Sequence, residues 1–351
     1  MSRPAGRKLR VATIAGVAAA AVAIVIPQAS SAAAGHPAAA TPPAASAAGF
    51  PAFVHLPADQ AAHPGATEEW WYTIGHVSSH GHKYGYEVQL TNGGLAELAI
   101  TDITAGTYYT QQVAYKAGQF SLSTTKLDVR LPDATLSGPM NAMRLTASLP
   151  QGRLDLQLSA RGPAIYGNGT GLFPFLGGSS YYYSLPRLQT SGTLTLGGKT
   201  SQVTGTSWLD RQWGSWNWTQ LHRWTWMAIQ LGHGESINLW DLFSTQGEEH
   251  WATVLHRDGS ESIVSVVPLA PRATDFATSP TTGQRYAGKW TVEIPSLETT
   301  LTVTATPTLQ EIQAKAPFTP GIDEAASTVT GVYQDRPVTG QAYVEQFGIW
   351  R

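Results

Sequence analysis

The 351-residue sequence contains no cysteine, so disulfides and thiolate metal sites are excluded. Charged residues are also scarce, at 13%, and they form no basic block, which argues against nucleic acid as a partner. No stretch repeats its apolar residues with helical spacing for more than about three turns. A disulfide-rich scaffold, a nucleic-acid-binding module and a helical bundle are therefore excluded as classes.

Familiar catalytic motifs are absent as well. No Gly-x-Ser-x-Gly sequence occurs, and Ser123–Lys126 matches Ser-x-x-Lys by letters only, within strand-like sequence. The glycine-rich segment Gly167–Gly171 is not followed by helical periodicity, so it is not a dinucleotide-binding loop. His76, His80 and His82 lie in a Gly/Ser-rich turn, which favours a solvated loop over a metal site. We expect no metal site and no dinucleotide-binding loop.

The N-terminus has the pattern of a secretion signal. Basic residues precede an apolar, Ala-rich run over Val11–Ile26, and small residues follow at 30–34. We expect residues 1–34 to be a signal peptide and the protein to be secreted, with no stable membrane span after cleavage; an uncleaved anchor is the alternative. Cleavage leaves 18 basic against 24 acidic residues, a net charge of −6. Residues 35–50, rich in Ala and Pro, predict a disordered tether.

The remaining chain reads as β-structure. Apolar residues alternate with polar ones over 143–149 and again over 154–158, with a turn between them, which predicts a hairpin with one apolar face. Similar hairpins are predicted over 193–203, 224–243 and 290–305. Many short strands joined by Gly-rich turns are typical of antiparallel sandwiches or barrels. The length allows two such domains, and we place them at 62–218 and 219–351.

Tryptophan is abundant, with 12 residues, and seven lie between Trp208 and Trp240. In the segment Trp208–Ser215, two tryptophans flank an acid, a base and an amide. On a strand, Asp210 and Gln212 would share a face with Trp208, while Arg211 and Trp213 would share the other. An aromatic wall with a few ionisable groups is typical of a pocket for a large apolar ligand.

Four further clusters combine aromatic and polar residues. They are Glu68–Tyr72, Tyr181–Ser184 followed by Arg187, the facing segments Trp224–Gln230 and Asn238–Asp241, and Gly340–Glu345. Aromatic residues on strands also fill cores. An unpaired buried charge costs several kcal/mol, so Glu69, Asp210 and Asp241 must be paired, exposed or functional. A structural ion pair with Arg187 or Arg211 is the alternative to a catalytic role.

Taken together, the clusters resemble the family of carotenoid 1,2-hydratases and related secreted lipocalin-like proteins, known as AttH or predicted hydrolases. The resemblance covers residues 62–351. Its motifs are Glu69–Tyr72, Ser180–Ser184 with Arg187-Leu188, Gly205–Gly214, Trp224 with Trp226, and Gly340–Glu345. The resemblance implies an all-β fold of two tandem lipocalin-like antiparallel barrels or sandwiches, with a ligand cavity at or near their contact and no cofactor.

The resemblance also implies acid catalysis on an alkene, in which aromatic faces hold the resulting cation. Asp210 and Asp241 best suit the acid, with Arg211, Gln212 and Tyr343 orienting the substrate. We expect the remaining cluster residues to bind the ligand: Glu69, Trp71, Tyr182, Arg187, Trp208, Trp213, Trp224, Trp226, Trp240 and Glu345.

One departure from the family pattern concerns Arg211-Gln212, where the hydratases carry His-Glu. Neither Arg nor Gln exchanges protons at neutral pH. The sequence thus predicts a secreted protein that binds a hydrophobic terpenoid, polyketide or lipid and hydrates or cyclises it. A carrier of lipophiles is the main alternative, and a hydrolase is the third.

Overall fold

The computed structural model describes residues 53–314 and 317–348. Within these ranges the regular structure is β, and the only helical segments are five single 3₁₀ turns, at Ala58–Gln60, Gly167–Gly169, Trp218–Gln220, Ala270–Arg272 and Pro295–Leu297. The all-β prediction is confirmed. No helix in this part of the chain is long and apolar enough to cross a membrane. The predicted signal peptide and tether lie outside the described residues.

Thirteen strands form the first sheet. They are β1 (Glu68–Ser79), β2 (His82–Thr91), β3 (Leu95–Asp102), β4 (Thr107–Ala114), β5 (Ser121–Leu122), β6 (Asp128–Arg130), β7 (Ala134–Ser137), β8 (Met143–Leu149), β9 (Gly152–Ala160), β10 (Ile165–Tyr166), β11 (Leu172–Phe175), β12 (Gly178–Leu196) and β13 (Lys199–Ser215). Their order is β4-β3-β2-β1-β13-β12-β9-β8-β7-β6-β5, with β10 and β11 pairing with β12.

Ten strands form the second sheet, and two more pair separately. They are β14 (Leu221–Leu231), β15 (Ser236–Ser244), β16 (Gly247–Leu255), β17 (Glu261–Ser265), β18 (Ala273–Thr274), β19 (Ala277–Thr278), β20 (Arg285–Tyr286), β21 (Lys289–Ile294), β22 (Thr299–Ala305), β23 (Glu311–Gln313), β24 (Gly321–Tyr333) and β25 (Arg336–Gly348). The sheet runs β17-β16-β15-β14-β25-β24-β22-β21-β18, with β23 on β24, while β19 pairs with β20.

Both sheets are antiparallel and curled. Each sheet encloses a core of its own, because alternate residues of its strands point inward. In the first sheet, Leu145 and Leu156 lie opposite each other in the hairpin of β8 and β9, as the alternation predicted. In the second, Val292 lies opposite Leu301 on β21 and β22. A third buried cluster draws residues from both sheets.

The connection between the two sheets runs from Ser215 to Leu221 and contains one 3₁₀ turn. The domain boundary expected near Trp218 falls within this connection, and the division into domains at 62–218 and 219–351 stays a prediction. Where the sheets face each other, the backbones come close: a Cβ built on Gly85 of β2 would lie 2.6 Å from Cβ of Ala326 on β24. Glycine at this position permits the close contact.

Candidate functional site

The cluster shared by the two sheets is rich in aromatic side chains, and we call it the aromatic layer. Strand alternation turns Tyr72, Trp208 and Tyr182 of the first sheet toward the second. The aromatic layer comprises Tyr72, Phe173, Phe175, Tyr182, Trp208, Trp224, Trp226, Trp240, Phe318 and Tyr343. Edge-to-face contacts link its rings across the sheets, including Tyr72 with Trp226 at 5.5 Å and Trp208 with Trp226 at 6.3 Å between centroids.

Asp210 lies inside this layer, and no basic side chain of the described residues is paired to it. Its carboxyl group accepts hydrogen bonds from the Trp208 indole N–H, at 2.5 Å, and from the Tyr182 hydroxyl. Only 3% of the residue is exposed. Asn238 of the second sheet donates to the Tyr182 oxygen at 2.7 Å, and its own carbonyl oxygen accepts from Trp240 at 2.8 Å. A hydrogen-bonded chain therefore links Asp210, through Tyr182, to Asn238 of the second sheet.

Burial raises the pKa of Asp210 to about 7, although hydrogen bonds from Ser184, Tyr182 and Trp208 oppose the shift. Burial, followed by the charge of Asp210, raises the pKa of Tyr182 well above its ordinary value. Tyr182 therefore keeps its proton and remains a donor to Asp210. A carboxyl group with a pKa near neutrality can both give and take a proton at physiological pH.

Four glutamates, whose charges interact with one another, lie in the space between the sheets, and Glu345 among them also interacts with Asp210. Glu87 and Glu97 come from β2 and β3, and Glu324 and Glu345 from β24 and β25. Glu324 accepts a hydrogen bond from the Tyr72 hydroxyl at 2.5 Å. Glu97 accepts from Gln89 at 2.9 Å and from Gln112. We refer to these residues and Asp210 as the acid cluster.

Burial is the largest cause of raised pKa values throughout the acid cluster. The pKa of Glu97 is raised to about 7 and that of Glu345 to about 8, the latter also by the charges of Glu97 and Asp210. Burial, then Glu345, raises the pKa of Glu324 well above its ordinary value; burial, then Glu97, does the same for Glu87. The cluster therefore holds several protons at neutral pH, because neighbouring buried carboxylates cannot all ionise.

Arg211 lies on the opposite face of β13 from Asp210, as strand alternation predicted. Its guanidinium group donates to Glu69 at 2.7 Å and to the carbonyl oxygens of Ala61 and Trp70 at 2.8 and 2.7 Å. It also lies 4.0 Å above the Trp71 ring. Burial raises the pKa of Glu69, but hydrogen bonds from His63 and the charge of Arg211 outweigh it, and the net shift is downward. This group is a buried structural ion pair.

Asp241 is also separated from Asp210. Its carboxylate oxygens accept from the backbone N–H of Leu269 at 2.6 Å, from His250 at 3.0 Å and from Arg223 at 3.4 Å. Its neighbour Trp240 belongs to the aromatic layer, so Asp241 faces the interior of the second sheet. Of the two acids selected from the sequence, the structure leaves only Asp210 without an ionic partner.

The structure thus divides the residues predicted to bind ligand. It brings together, in or beside the aromatic layer, Tyr182, Trp208, Trp224, Trp226, Trp240, Tyr343 and Glu345. Gln212 is near them, donating to Ser180 at 2.9 Å. Glu69, Trp71 and Trp213 lie instead on the core side of the first sheet. Arg187 lies apart from both groups, in a surface cleft.

Two surface clefts flank the contact between the sheets. The first cleft, of about 440 Å³, is lined by residues that include Arg187, Glu235 and Gln230. The second cleft, of about 300 Å³, is lined by residues that include His76 and Lys83. Thr206 and Gln341 line both clefts and are hydrogen-bonded to each other. This polar bridge separates the two clefts.

Of the four glutamates in the acid cluster, the sequence analysis predicted only Glu345 as a site residue. The signal that selected Asp210, an acid within an apolar strand, is also present at Glu87, Glu97 and Glu324. Asn238 was noted in its segment but was not assigned a role. Among the described residues, no group of three or more His, Cys, Asp or Glu side chains is arranged to hold a metal ion.

The fold and the site define a class of two-sheet, lipocalin-like proteins with a buried aromatic layer between the sheets. A family model described as AttH-like matches residues 90–349, so the chain belongs to the AttH-like family. A solved structure of a putative AttH from Nitrosomonas europaea superimposes with a TM-score of 0.74 at 23% identity, covering 90% of this chain and all of that one. The predicted lipocalin-like fold is confirmed.

Two curated relatives have named activities. Dehydratase asqC of Emericella nidulans is 27% identical over 171 residues, which cover 46% of this chain and 48% of that protein. Kievitone hydratase of Fusarium solani subsp. phaseoli is 29% identical over 120 residues, covering 30% of this chain and 34% of that protein. The chain therefore matches about half the length of the first relative and one third of the second.

Proposed function

We propose that the protein is a cofactor-free enzyme that adds water to an alkene of a hydrophobic small molecule, or catalyses the reverse or a related cyclisation. Asp210 is the proton donor. The observation that carries this assignment is a buried carboxyl group with no ionic partner, set among aromatic rings, whose pKa is raised to about 7. The relatives named as a hydratase and a dehydratase support a reaction of this class.

In the proposed reaction, the Asp210 carboxyl group transfers its proton to one alkene carbon, and the positive charge develops on the other. Ring faces of the aromatic layer, such as those of Trp208 and Trp226, stabilise the cation by cation–π attraction. Water then bonds to the cationic carbon and the proton released restores the acid. The same steps in reverse remove water, because the Asp210 carboxylate is equally placed to accept a proton.

The substrate class we propose is a terpenoid, polyketide or lipid, and the site of action is outside the cell. The aromatic layer supports a hydrophobic substrate, because it offers apolar surface and no ionic partner for Asp210. The signal-like pattern of residues 1–34 supports a site of action outside the cell. Arg211 and Gln212 do not supply protons in this scheme, so their departure from His-Glu leaves the acid in place.

The test is turnover by the purified full chain of a panel of terpenoid, polyketide and fatty-acid alkenes that includes kievitone, followed by mass spectrometry for the gain or loss of one water. Reaction in D₂O should place one deuterium on carbon. The Asp210→Asn variant should lower kcat by roughly 10²–10⁴-fold, the usual range for a general acid. The exposed Asp258→Asn variant is the matched control and should react like the wild type.

Unchanged turnover by a folded Asp210→Asn variant would remove Asp210 from the reaction. Native mass spectrometry of the protein from culture medium separates the enzyme from a carrier. A lipophile that is retained but never altered, by wild type and variant alike, would assign the carrier function instead.

A further inference from the structure

A small void adjoins the two surface clefts and the aromatic layer. Its volume is about 10 Å³, and the side chains that line it include His76, Trp208, Gln230 and Tyr343. Roughly 10–15 Å³ is the smallest volume that holds a water molecule. The void shares His76 with the second cleft and Gln230 with the first. It therefore adjoins both clefts, and one of its lining residues, Trp208, donates a hydrogen bond to Asp210.

Two of the side chains lining this void carry a buried polar atom without a hydrogen-bond partner: Nε2 of His76 and the hydroxyl oxygen of Tyr343. The two rings contact each other, with centroids 5.8 Å apart. Gln230, in contrast, already donates to the carbonyl oxygens of Pro186 and Ser207. A buried polar group that lacks a protein partner is normally satisfied by water.

Burial keeps the imidazole ring of His76 uncharged. Its Nε2 has no hydrogen-bond partner among the described residues. A neutral imidazole has one nitrogen that donates and one that accepts a hydrogen bond. Burial, and then the charge of Lys83, lowers the pKa of His76 to about 4. At neutral pH the ring is an uncharged hydrogen-bond acceptor.

We propose that this void is a single-water site, in which His76 Nε2 accepts a hydrogen bond from the water and the Tyr343 hydroxyl bonds to the same molecule. We further infer that this water is the nucleophile of the hydration reaction. The second inference rests on the proposed function, whereas the first does not. The two clefts on either side of the Thr206–Gln341 bridge supply the replacement water after each turnover.

The chemistry balances without an additional reactant. Protonation by Asp210 leaves a carbocation and the Asp210 carboxylate; the water oxygen then forms the new C–O bond and becomes a protonated alcohol. Nε2 of His76 takes the extra proton, giving the neutral alcohol and an imidazolium. A weak base suffices, because a protonated alcohol is a much stronger acid than an imidazolium. Transfer of that proton through water to the Asp210 carboxylate restores both groups, so the net reaction is alkene plus water to alcohol.

The water site is tested without any substrate. A high-resolution crystal structure of the wild type should contain one ordered water within hydrogen-bonding distance of His76 Nε2 and the Tyr343 hydroxyl, and ¹⁵N spectra of the histidines should show His76 protonated at Nδ1 alone. Tyr343→Phe, which removes only the hydroxyl, and His76→Phe should lose the ordered water. His80→Asn is the control, because His80 is exposed and its positive φ of 48° suits Asn. An empty void, or a His76 ring protonated at Nε2, would overturn the proposal.

The nucleophile role is tested on whichever alkene of the panel is turned over. Without an oriented water the cation loses a proton instead, so Tyr343→Phe and His76→Phe should lower alcohol formation roughly 10²-fold at an unchanged KM. Formation of the isomerised alkene should persist. An unaltered ratio of alcohol to isomer would overturn the nucleophile role. An ordered water in a protein that turns over no alkene would overturn that role together with the proposed function, and would leave the water site standing.

Discussion

Two adjacent residues show how strand geometry separates a candidate catalytic side chain from a structural one. Asp210 and Arg211 are neighbours in the chain, yet successive side chains on a strand point to opposite faces. Asp210 enters the aromatic layer, where its partners are the neutral donors Trp208 and Tyr182. Arg211 enters the core of the first sheet, where Glu69 neutralises it. The acid is therefore kept close to its neutral form, while the base is fixed in an ion pair.

At the residue scale, Glu69→Gln should destabilise the fold. Arg211 is fully buried, so removal of the Glu69 charge would leave its guanidinium group without a counter-charge, at a cost of about 3–5 kcal/mol. Urea denaturation measures the change in the free energy of unfolding. The control is Asp155→Asn, which breaks the exposed pair with Arg144 and should cost less than about 1 kcal/mol. Equal, small losses for both variants would mean that water reaches the Arg211 site.

The elements that build the site are long strands whose two faces serve different cores. Strand β1 places Trp71 in the core of the first sheet and Tyr72 in the aromatic layer, and it pairs with β13 so that Tyr72 lies opposite Asp210. On the other sheet, β25 lies between β14 and β24, which sets Glu345 beside Glu324. The pairing of β1 with β13, the hairpin of β24 and β25, and the packing of the two sheets thus position the acid cluster.

At the element scale, Gly85→Ala should weaken the contact between β2 and β24. Its Cβ would approach Cβ of Ala326 to 2.6 Å, which forces backbone on one of the two sheets to move. Overpacking of this kind costs about 1–3 kcal/mol. Thermal unfolding, followed by tryptophan fluorescence from the aromatic layer, reports both the stability and the packing.

The matched control for this substitution is Gly65→Ala, because a Cβ there meets nothing within 4 Å. Its unfolding temperature should stay near that of the wild type. A Gly85→Ala protein as stable as this control would show that the two sheets separate without cost at this contact.

For the whole molecule, the unusual feature is the number of carboxyl groups whose pKa is raised by burial. Asp210, Glu97 and Asp323 have pKa values of about 7, and those of Glu345 and Glu261 are about 8. In the unfolded chain such groups titrate near pH 4. Between about pH 4 and pH 8, these carboxyl groups therefore bind more protons in the folded protein than in the unfolded chain.

Stability should therefore fall as the pH rises from about 5 to about 8. The contribution of each of these groups is complete below its unfolded pKa and is lost as the pH passes its folded pKa, with a slope of up to ~1.4 kcal/mol per pH unit for each retained proton. Glu69, whose pKa is lowered, acts in the opposite sense near and below its unfolded pKa. His76, whose pKa is lowered from 6.5 to about 4, also acts in the opposite sense between those two pH values, but the five carboxyl groups outnumber it. Urea denaturation at several pH values measures the slope.

Two neutral replacements provide the internal comparison for this pH dependence. Asp210→Asn and Glu345→Gln each remove one titrating group and should flatten the slope between pH 5 and 8. A free energy of unfolding that increases over this interval would contradict the raised pKa values.

Local sequence patterns determined several strands, the direction of their side chains and the family. Alternation of apolar residues specified the hairpin of β8 and β9 and the two faces of the Trp208–Trp213 segment, because side-chain direction on a strand depends only on sequence parity. The motifs from Glu69 to Glu345 likewise indicate the family and its all-β fold. These inferences succeed because each depends on residues close together in the chain.

Only the tertiary structure decided which acid remains without an ionic partner. Asp210 and Asp241 have similar surroundings in the sequence, but Asp241 meets Arg223 and His250, whereas Asp210 meets neutral donors. Glu324, more than 100 residues away in the chain, joins the acid cluster because the second sheet packs on the first, where Tyr72 donates a hydrogen bond to it. The pKa of a buried group depends on desolvation and on neighbouring charges, and both are fixed by strand pairing across long sequence separations, which the order of residues alone does not reveal.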